Sequence, residues 1–265
     1  CPKGLLALEG GPAVEVRGRG EGAVGPLPLG DGMGGYAGWI LRVDLSTGDV
    51  RRERLGAEMA RGYLSGRGFA ARILYDEVPA GADPLGPENK VVLASGVLSG
   101  TFVPAAGKLA MAARSPATGG WGESNVGGHL ASELKYAGYD VVVLEGVAPG
   151  PCYVYIEDDV VEIREAGHLW GKGALEAERA LKDELGEEFQ VATIGPAGEN
   201  MVAFACVSHD FGRQAGRTGV GAVLGSKKVK AVAVRGTKAI PVADLQGLLD
   251  VGRRMYESSF AAPNL

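Results

Sequence analysis

No apolar run approaches the ~18 residues that a membrane-spanning helix requires, so neither such a helix nor a membrane partner is expected. Cysteine is scarce and odd in number: Cys1, Cys152 and Cys206 lie far apart, and no C-x-x-C pair occurs. That excludes a disulfide framework, a zinc site or an iron–sulfur cluster built from this chain alone. A reduced, cytoplasmic setting is the expectation. Positive charge is not in excess: 27 Lys+Arg stand against 32 Asp+Glu, a net charge of −5, which argues against a basic nucleic-acid binder. The G-x-x-x-x-G-K-[ST] phosphate loop and the G-x-S-x-G nucleophile elbow are both missing. Gly219-Val220-Gly221 with Gly225 echoes a dinucleotide fingerprint, but it follows a loop and lacks the later acidic residue. Histidines are few and scattered, and His129, His168 and His209 read as structural or surface residues.

What the chain has in abundance is glycine, 44 of 265 residues, against a usual share of about 7%. There is no G-x-y period, so collagen is excluded. Glycine at this level points to many backbone positions with positive φ or close approach to another group. With 46% hydrophobic and 22% charged residues the chain is otherwise globular, and its length makes one large domain or two small ones.

Residues 1–35 carry no helical or strand period and read as a disordered or non-native leader, with Met33 as the expected start of the folded protein. From residue 36 to 242 one order of elements occurs twice. The first copy runs as a hairpin (Trp39–Leu45, Val50–Leu55), then a helix from Ala57 to about Tyr75 broken near Gly66–Gly68. Strands Lys90–Ala94 and Lys108–Ala113, a glycine-rich loop Thr118–Gly128, a helix over 129–137 and a strand Asp140–Glu145 complete it. The second copy runs as a hairpin (Cys152–Glu157, Val160–Arg164), a helix Ala174–Leu185 and strands Gln190–Ile194 and Val202–Val207. A loop Phe211–Gly219, a helix over about Val220–Ser226 and a strand Lys230–Val234 follow. This order predicts an α+β fold of two mixed β-sheets with helices and an internal pseudo-twofold duplication. Residues 243–265 read as the start of a helical C-terminal domain that this chain truncates.

Each glycine-rich loop leads into a helix, whose first N–H groups and partial positive charge favour anions. Arg213 and Arg217 flank the second loop, and Lys108, Arg114 and Asn125 lie near or within the first. Two equivalent loops fit two phosphate-bearing moieties, or one ligand with two anionic ends. The alternative is that the glycines serve only tight packing. Glu123 lies in the first loop without an evident partner. The runs Glu157-Asp158-Asp159 and Glu187-Glu188 read as solvated surface.

Beyond these physical signals, Trp39–Gly48, Asp83–Lys90, Ser99–Thr101, Arg114–Gly119, Asn125–Gly128 and Glu133–Asp140 occur in order, followed by Ile194–Asn200, Ala215–Val223, Gly225–Lys227 and Lys230-Ala231. Over about residues 36–242 this series resembles the N-terminal domain of the tungsten-containing aldehyde ferredoxin oxidoreductase family. The resemblance implies a platform of two mixed sheets cradling a bis-pterin tungsten or molybdenum cofactor, with magnesium bridging its phosphates. It implies magnesium-binding carbonyls at Asn125 and Gln214, and a pterin lining of Gly127, Gly128, Arg213, Ala215, Gly216 and Arg217. Lys108 stands where members carry an arginine that links pterin to cluster; it keeps the charge and loses the planar fork. The 4Fe-4S cluster ligands and substrate pocket would belong to C-terminal domains, so no catalytic residue is assigned in this chain. Implied partners are ferredoxin, those C-terminal domains, a small aldehyde oxidised to a carboxylic acid and, for a homo-oligomer, a second copy. The rival reading is a non-catalytic module for a phosphorylated ligand or a partner subunit; a downstream C-x-x-C-x-x-x-C segment would separate the two.

Overall fold

A computed structural model describes residues 17–18 and 34–260. The expectations for a leader and for Met33 as the start therefore lie, apart from Arg17, Gly18, Gly34 and Gly35, outside the described residues; Arg17 and Gly18 pair with Arg51 and Arg52 as a short strand. Gly35 is tied into the fold: its N–H donates to the Pro241 carbonyl at 2.7 Å, and its own carbonyl accepts from the Lys135 ammonium.

The first sheet contains β1 (Arg17–Gly18), β2 (Trp39–Asp44), β3 (Val50–Arg54), β4 (Val91–Ser95), β5 (Leu109–Arg114), β6 (Trp121–Val126) and β7 (Val141–Glu145). The second contains β8 (Cys152–Glu157), β9 (Val160–Glu165), β10 (Gln190–Thr193), β11 (Val207–His209), β12 (Arg213–Ala215) and β13 (Val229–Arg235). Leaving aside the two-residue β1 beside β3, the orders are β3-β2-β7-β4-β5-β6 and β9-β8-β13-β10-β11-β12. Adding six to each label of the first order produces the second. The pairing senses also match: β2·β7 and β8·β13 are parallel, and every other neighbouring pair in these two orders is antiparallel. The expected α+β duplication is thus present as topology.

Seven α-helices occur among the described residues: α1 (Ala57–Tyr63), α2 (Arg67–Glu77), α3 (Leu130–Tyr136), α4 (Ala174–Leu185), α5 (Pro196–Glu199), α6 (Val220–Ser226) and α7 (Leu245–Ser259). The break between α1 and α2 falls where the glycines predict it. Leu64 and Gly66 both take positive φ there, and the Gly68 Cα lies so close to the Tyr63 carbonyl that a side chain would collide at 2.0 Å.

Strand alternation divides the apolar residues between two faces. Leu41 and Val43 of β2 enter a central core that also takes Leu93, Met111, Val142, Val154, Ile194 and Val232, so this core belongs to both halves. Ile40, Val92 and Val143 point the other way, under α1 and α2; Tyr153, Val191 and Ala233 do the same beneath α4. The central helices lie between the sheets: α3 packs on β4 of the first sheet and on β10 and β13 of the second, and α6 on β13 of the second and on β4, β5 and β6 of the first.

Two sequence-based expectations are corrected. Both glycine-rich loops contain a strand, β6 and β12, because an edge strand needs only one partner and tolerates polar and small residues on its outer side. The strand expected over Val202–Val207 begins only at Val207. Met201 has positive φ, the Ala205 N–H turns back to the Val202 carbonyl at 2.8 Å, and Phe204 stands exposed.

Lys227 at the end of α6 is fully buried, and its Nζ donates to the Gly146 carbonyl of the other half at 2.8 Å. Burial, helped by nearby Lys90 and opposed by Glu145 and Asp44, pushes its pKa down to about 8. The unfolded chain then holds the extra proton between about pH 8 and 10.5, so this group's contribution is complete above 10.5 and is lost as pH falls through 8. We expect the stability difference between wild type and Lys227→Met to change by on the order of 1 kcal/mol per pH unit within that window and to flatten below it. Urea midpoints measured from pH 7 to 10 check this; parallel curves would refute it.

Candidate functional site

The β5–β6 hairpin closes through Ser115–Gly120, where the Ser115 N–H donates to the Gly120 carbonyl and the Gly119 N–H to the Ser115 carbonyl, both at 2.8 Å. Along β6 the side chains alternate: Gly122, Ser124 and Val126 face inward, Trp121 and Asn125 outward. The inward serine reaches the other half, donating from Oγ to the Gly216 carbonyl, and Ser115 Oγ donates to the Thr218 carbonyl at 2.7 Å. Gly122 is required by the approach of Ser115 and Thr218, whose Cβ atoms would lie 2.8 and 3.1 Å from an added Cβ. The two halves therefore meet along equivalent edge strands, β6 and β12. Part of the outer N–H and C=O groups of each strand lacks a strand neighbour.

At one end of this junction the charges converge. The register pairs Leu109 with Val126, which places Lys108 and Gly127 opposite each other at the end of the β5–β6 ladder. A Cβ at Gly127 would lie 3.4 Å from Lys108 Nζ and 3.7 Å from Arg213 Nη1, so one cation from each half reaches the same glycine. Gly128 takes φ +110°, and a side chain there would strike Asp210 Oδ2 at 2.6 Å, His209 Cε1 at 2.7 Å and Arg213 Cδ at 2.8 Å. Arg213 Nε lies 3.3 Å from Asp210 Oδ2, and exposed His129 places Nδ1 3.1 Å from the same oxygen. Arg217 and Thr218 take consecutive left-handed conformations, and Arg217 makes no ion pair among the described residues. Lys108 and Arg213 thus stand with one carboxylate, Asp210, at this end of the junction, while Arg217 lies further along β12's continuation, between Gly216 and Thr218, whose carbonyls accept from Ser124 and Ser115. Such a cluster attracts an anion.

Of the other residues singled out in the sequence, Asn125 and Gln214 are both exposed and both have engaged side chains. Asn125 Nδ2 donates to Glu123 Oε1 at 2.6 Å, and Glu123, for which the sequence offered no partner, also pairs with Arg67 at 2.6 Å. Gln214 Nε2 donates to Ser208 Oγ, and its Oε1 accepts from Cys206 Sγ, both at 2.9 Å. Ala215 is buried and Gly216 half-buried. Among these positions the structure brings Lys108, Gly127, Gly128 and Arg213 into direct contact. The start of α6 contributes less than the sequence predicted: the Gly221 N–H there already donates to the Ala205 carbonyl at 3.0 Å. Attraction for an anion rests on side-chain cations.

Two further residues lie beside the site: His209, read from the sequence as structural or surface, and Glu178, which the sequence did not single out. His209 is buried, with Nε2 2.6 Å from the Gly127 carbonyl oxygen, and burial lowers its pKa. Glu178 of α4 is fully buried and accepts the Phe211 N–H at 3.1 Å; burial raises its pKa against the opposing backbone hydrogen bonds. Neither has a periodic or motif signal.

A cavity of about 840 Å³ lies elsewhere, between α2 and the β5–β6 turn, lined by Tyr63, Leu74, Tyr75, Val78 and Trp121 with Arg72 and Arg114. Its walls are mostly apolar and do not match a polyanion. Among the described residues no group of three or more His, Cys, Asp or Glu side chains could hold a metal, and no helix is long and apolar enough to cross a membrane. A metal bound through backbone carbonyls is a different arrangement from such a cluster.

Matched half-units with cations from both converging at their junction form a two-sheet platform. Residues 40–236 match the aldehyde ferredoxin oxidoreductase N-terminal domain, and the chain belongs to that family. It is 50% identical over 221 residues to the tungsten-containing aldehyde ferredoxin oxidoreductase of Thermococcus kodakarensis, covering 82% of this chain and 36% of that protein. It is 34% identical to the aliphatic sulfonate oxidoreductase WOR-like subunit of Pyrococcus furiosus, over 86% of this chain and 39% of that one. The active-site complex BamBC of benzoyl-coenzyme A reductase with 1,5-dienoyl-CoA contains a similar chain, with TM-score 0.83 and 39% identity over 88% of this chain and 36% of that one. The chain thus spans little more than a third of the length of the relatives it matches.

Proposed function

We propose that this chain is the cofactor-binding N-terminal part of an oxidoreductase that converts aldehydes to carboxylic acids with ferredoxin as electron acceptor. The observation that carries this reading is the convergence of Lys108 and Arg213, one from each half, on Gly127. The residues present suit a bis-pterin group with two phosphates: paired cations, a glycine at the point of contact, and edge-strand carbonyls able to face a magnesium ion at Asn125 and Gln214. Lys108, Arg213 and Arg217 would hold the anionic groups; Gly127, Gly128, Ala215 and Gly216 would allow close backbone approach. When bound, the tungsten or molybdenum pterin would supply the redox chemistry. This chain's part is to bind and orient that group and to hold its charge. The 4Fe-4S cluster ligands and the aldehyde pocket belong to the remaining two thirds of such a protein. Identity of 50% to an aldehyde enzyme, against 34% to a sulfonate enzyme, favours the aldehyde reaction.

Arg213→Ala is expected to lower pterin content after purification of the full-length protein, because a charge-assisted contact worth roughly 1.5–3 kcal/mol is removed. Pterin fluorescence after oxidative release, with metal analysis, measures it. Arg213 is exposed, so the fold should persist; unchanged pterin and metal content would refute its placement.

A further inference from the structure

We propose that His209 and Glu178 are positioning residues that clamp the β11–β12 turn from two sides, so that Arg213 is held against Gly127 of the other half. The proposal rests on the anion-site reading above. The turn comprises Asp210, Phe211 and Gly212, between His209 and Arg213, which pair across the hairpin. Asp210 and Phe211 take φ of 52° and 49°, two successive left-handed residues that are not glycine. Such a conformation costs energy at each residue and persists only where surrounding contacts enforce it.

The enforcing contacts come from opposite directions. From the α4 side, the fully buried Glu178 carboxylate accepts the Phe211 N–H at 3.1 Å. From the junction side, His209 Nε2 donates across the halves to the Gly127 carbonyl at 2.6 Å. That bond requires the proton on Nε2 when the ring is neutral, which leaves Nδ1 as an acceptor. Four buried side-chain polar atoms lack a hydrogen-bond partner among the described residues, and two of them are His209 Nδ1 and Glu178 Oε1. Buried orphans of this kind are expensive. Both flank one short turn, from β11 and from α4, which marks a place where stability yields to geometry. The geometry gained is local: Arg213 is the first residue after the turn, and Gly128 leaves no room for a side chain between it and the first half.

The test uses the full-length protein prepared free of its cofactor, with inorganic pyrophosphate plus magnesium as the probe. His209→Phe keeps a ring and removes the donor, while His209→Gln restores a donor. Glu178→Leu and Glu178→Gln form the matching pair for the acceptor. Amide hydrogen exchange over 126–130 and 209–216 should quicken about tenfold in His209→Phe and Glu178→Leu, and calorimetric pyrophosphate affinity should fall about tenfold in both. The Gln variants should recover most of each effect. Unaltered exchange in His209→Phe overturns the clamp. Faster exchange with unchanged affinity also overturns it, since the residues would then be structural only. A wild-type chain that binds no pyrophosphate overturns the anion-site reading itself and the clamp with it, an outcome distinct from the other two.

Discussion

Asp140→Ala should lose about 3–5 kcal/mol of stability, the range expected when one member of a buried ion pair is removed. Against a typical total of roughly 5–15 kcal/mol, such a loss leaves the chain close to unfolding. Asp140 and Lys135 are both almost completely buried and paired with each other. Burial presses the Lys135 ammonium below the ordinary lysine value, and the Asp140 carboxylate opposes that shift. Without the carboxylate the ammonium retains only the Gly35 carbonyl among its hydrogen-bond partners here. Asp140 also accepts the N–H groups of Ala37 and Gly38, so the double change Lys135→Met with Asp140→Leu should recover only part of the loss. Urea unfolding followed by tryptophan fluorescence would decide. A single variant within 1 kcal/mol of wild type, on the scale of an exposed pair, would contradict the buried-pair account.

Gly225→Ala should be at least as damaging. Gly225 lies on α6, and a Cβ there would sit 1.8 Å from the Gly198 carbonyl oxygen and 2.6 Å from its carbon. These are backbone atoms of α5, so no side chain can swing aside. Inserting a methyl group into a packed core usually costs about 1–3 kcal/mol; with backbone on the far side, α6 itself must shift. Since α6 contacts both sheets, the displacement would reach the central core and the junction. Gly120→Ala is the control. Its Cβ would meet nothing nearer than Thr118 Oγ1 at 3.8 Å and its φ is not positive, so a change within about 1 kcal/mol is expected. Soluble yield and thermal midpoints of the two variants compare a tight glycine with a roomy one. Equal behaviour would count against the close α5–α6 packing.

Much of the fold was legible because its cores impose periodicity. The Ala174–Leu185 helix shows its apolar residues at helical spacing, and its bounds agree with α4. The strands expected over Lys90–Ala94 and Asp140–Glu145 are β4 and β7, and the repeated order of elements carried the topology. The edge strands β6 and β12 were not legible. β6 consists of Trp-Gly-Glu-Ser-Asn-Val and β12 of Arg-Gln-Ala. Neither has a β-branched run, since one side of each faces no further strand. Val202 and Phe204 misled in the other direction, as apolar residues that the turn leaves partly or wholly outside. At the candidate site, Lys108 and Arg213 stood out through charge beside glycine. Glu178 and His209 act across 33 and 82 positions of sequence respectively, and such distances leave no local pattern.

The central core takes one face from each sheet and seats each copy's helix between the two, against its own sheet and the opposite one. Neither half can complete its own hydrophobic interior, so the whole platform should melt as one cooperative unit. A lone half would find its missing face most readily on a second lone half. The earliest form of this architecture is then most simply pictured as a twofold-symmetric dimer of a single short chain, later joined end to end at the segment near residue 150.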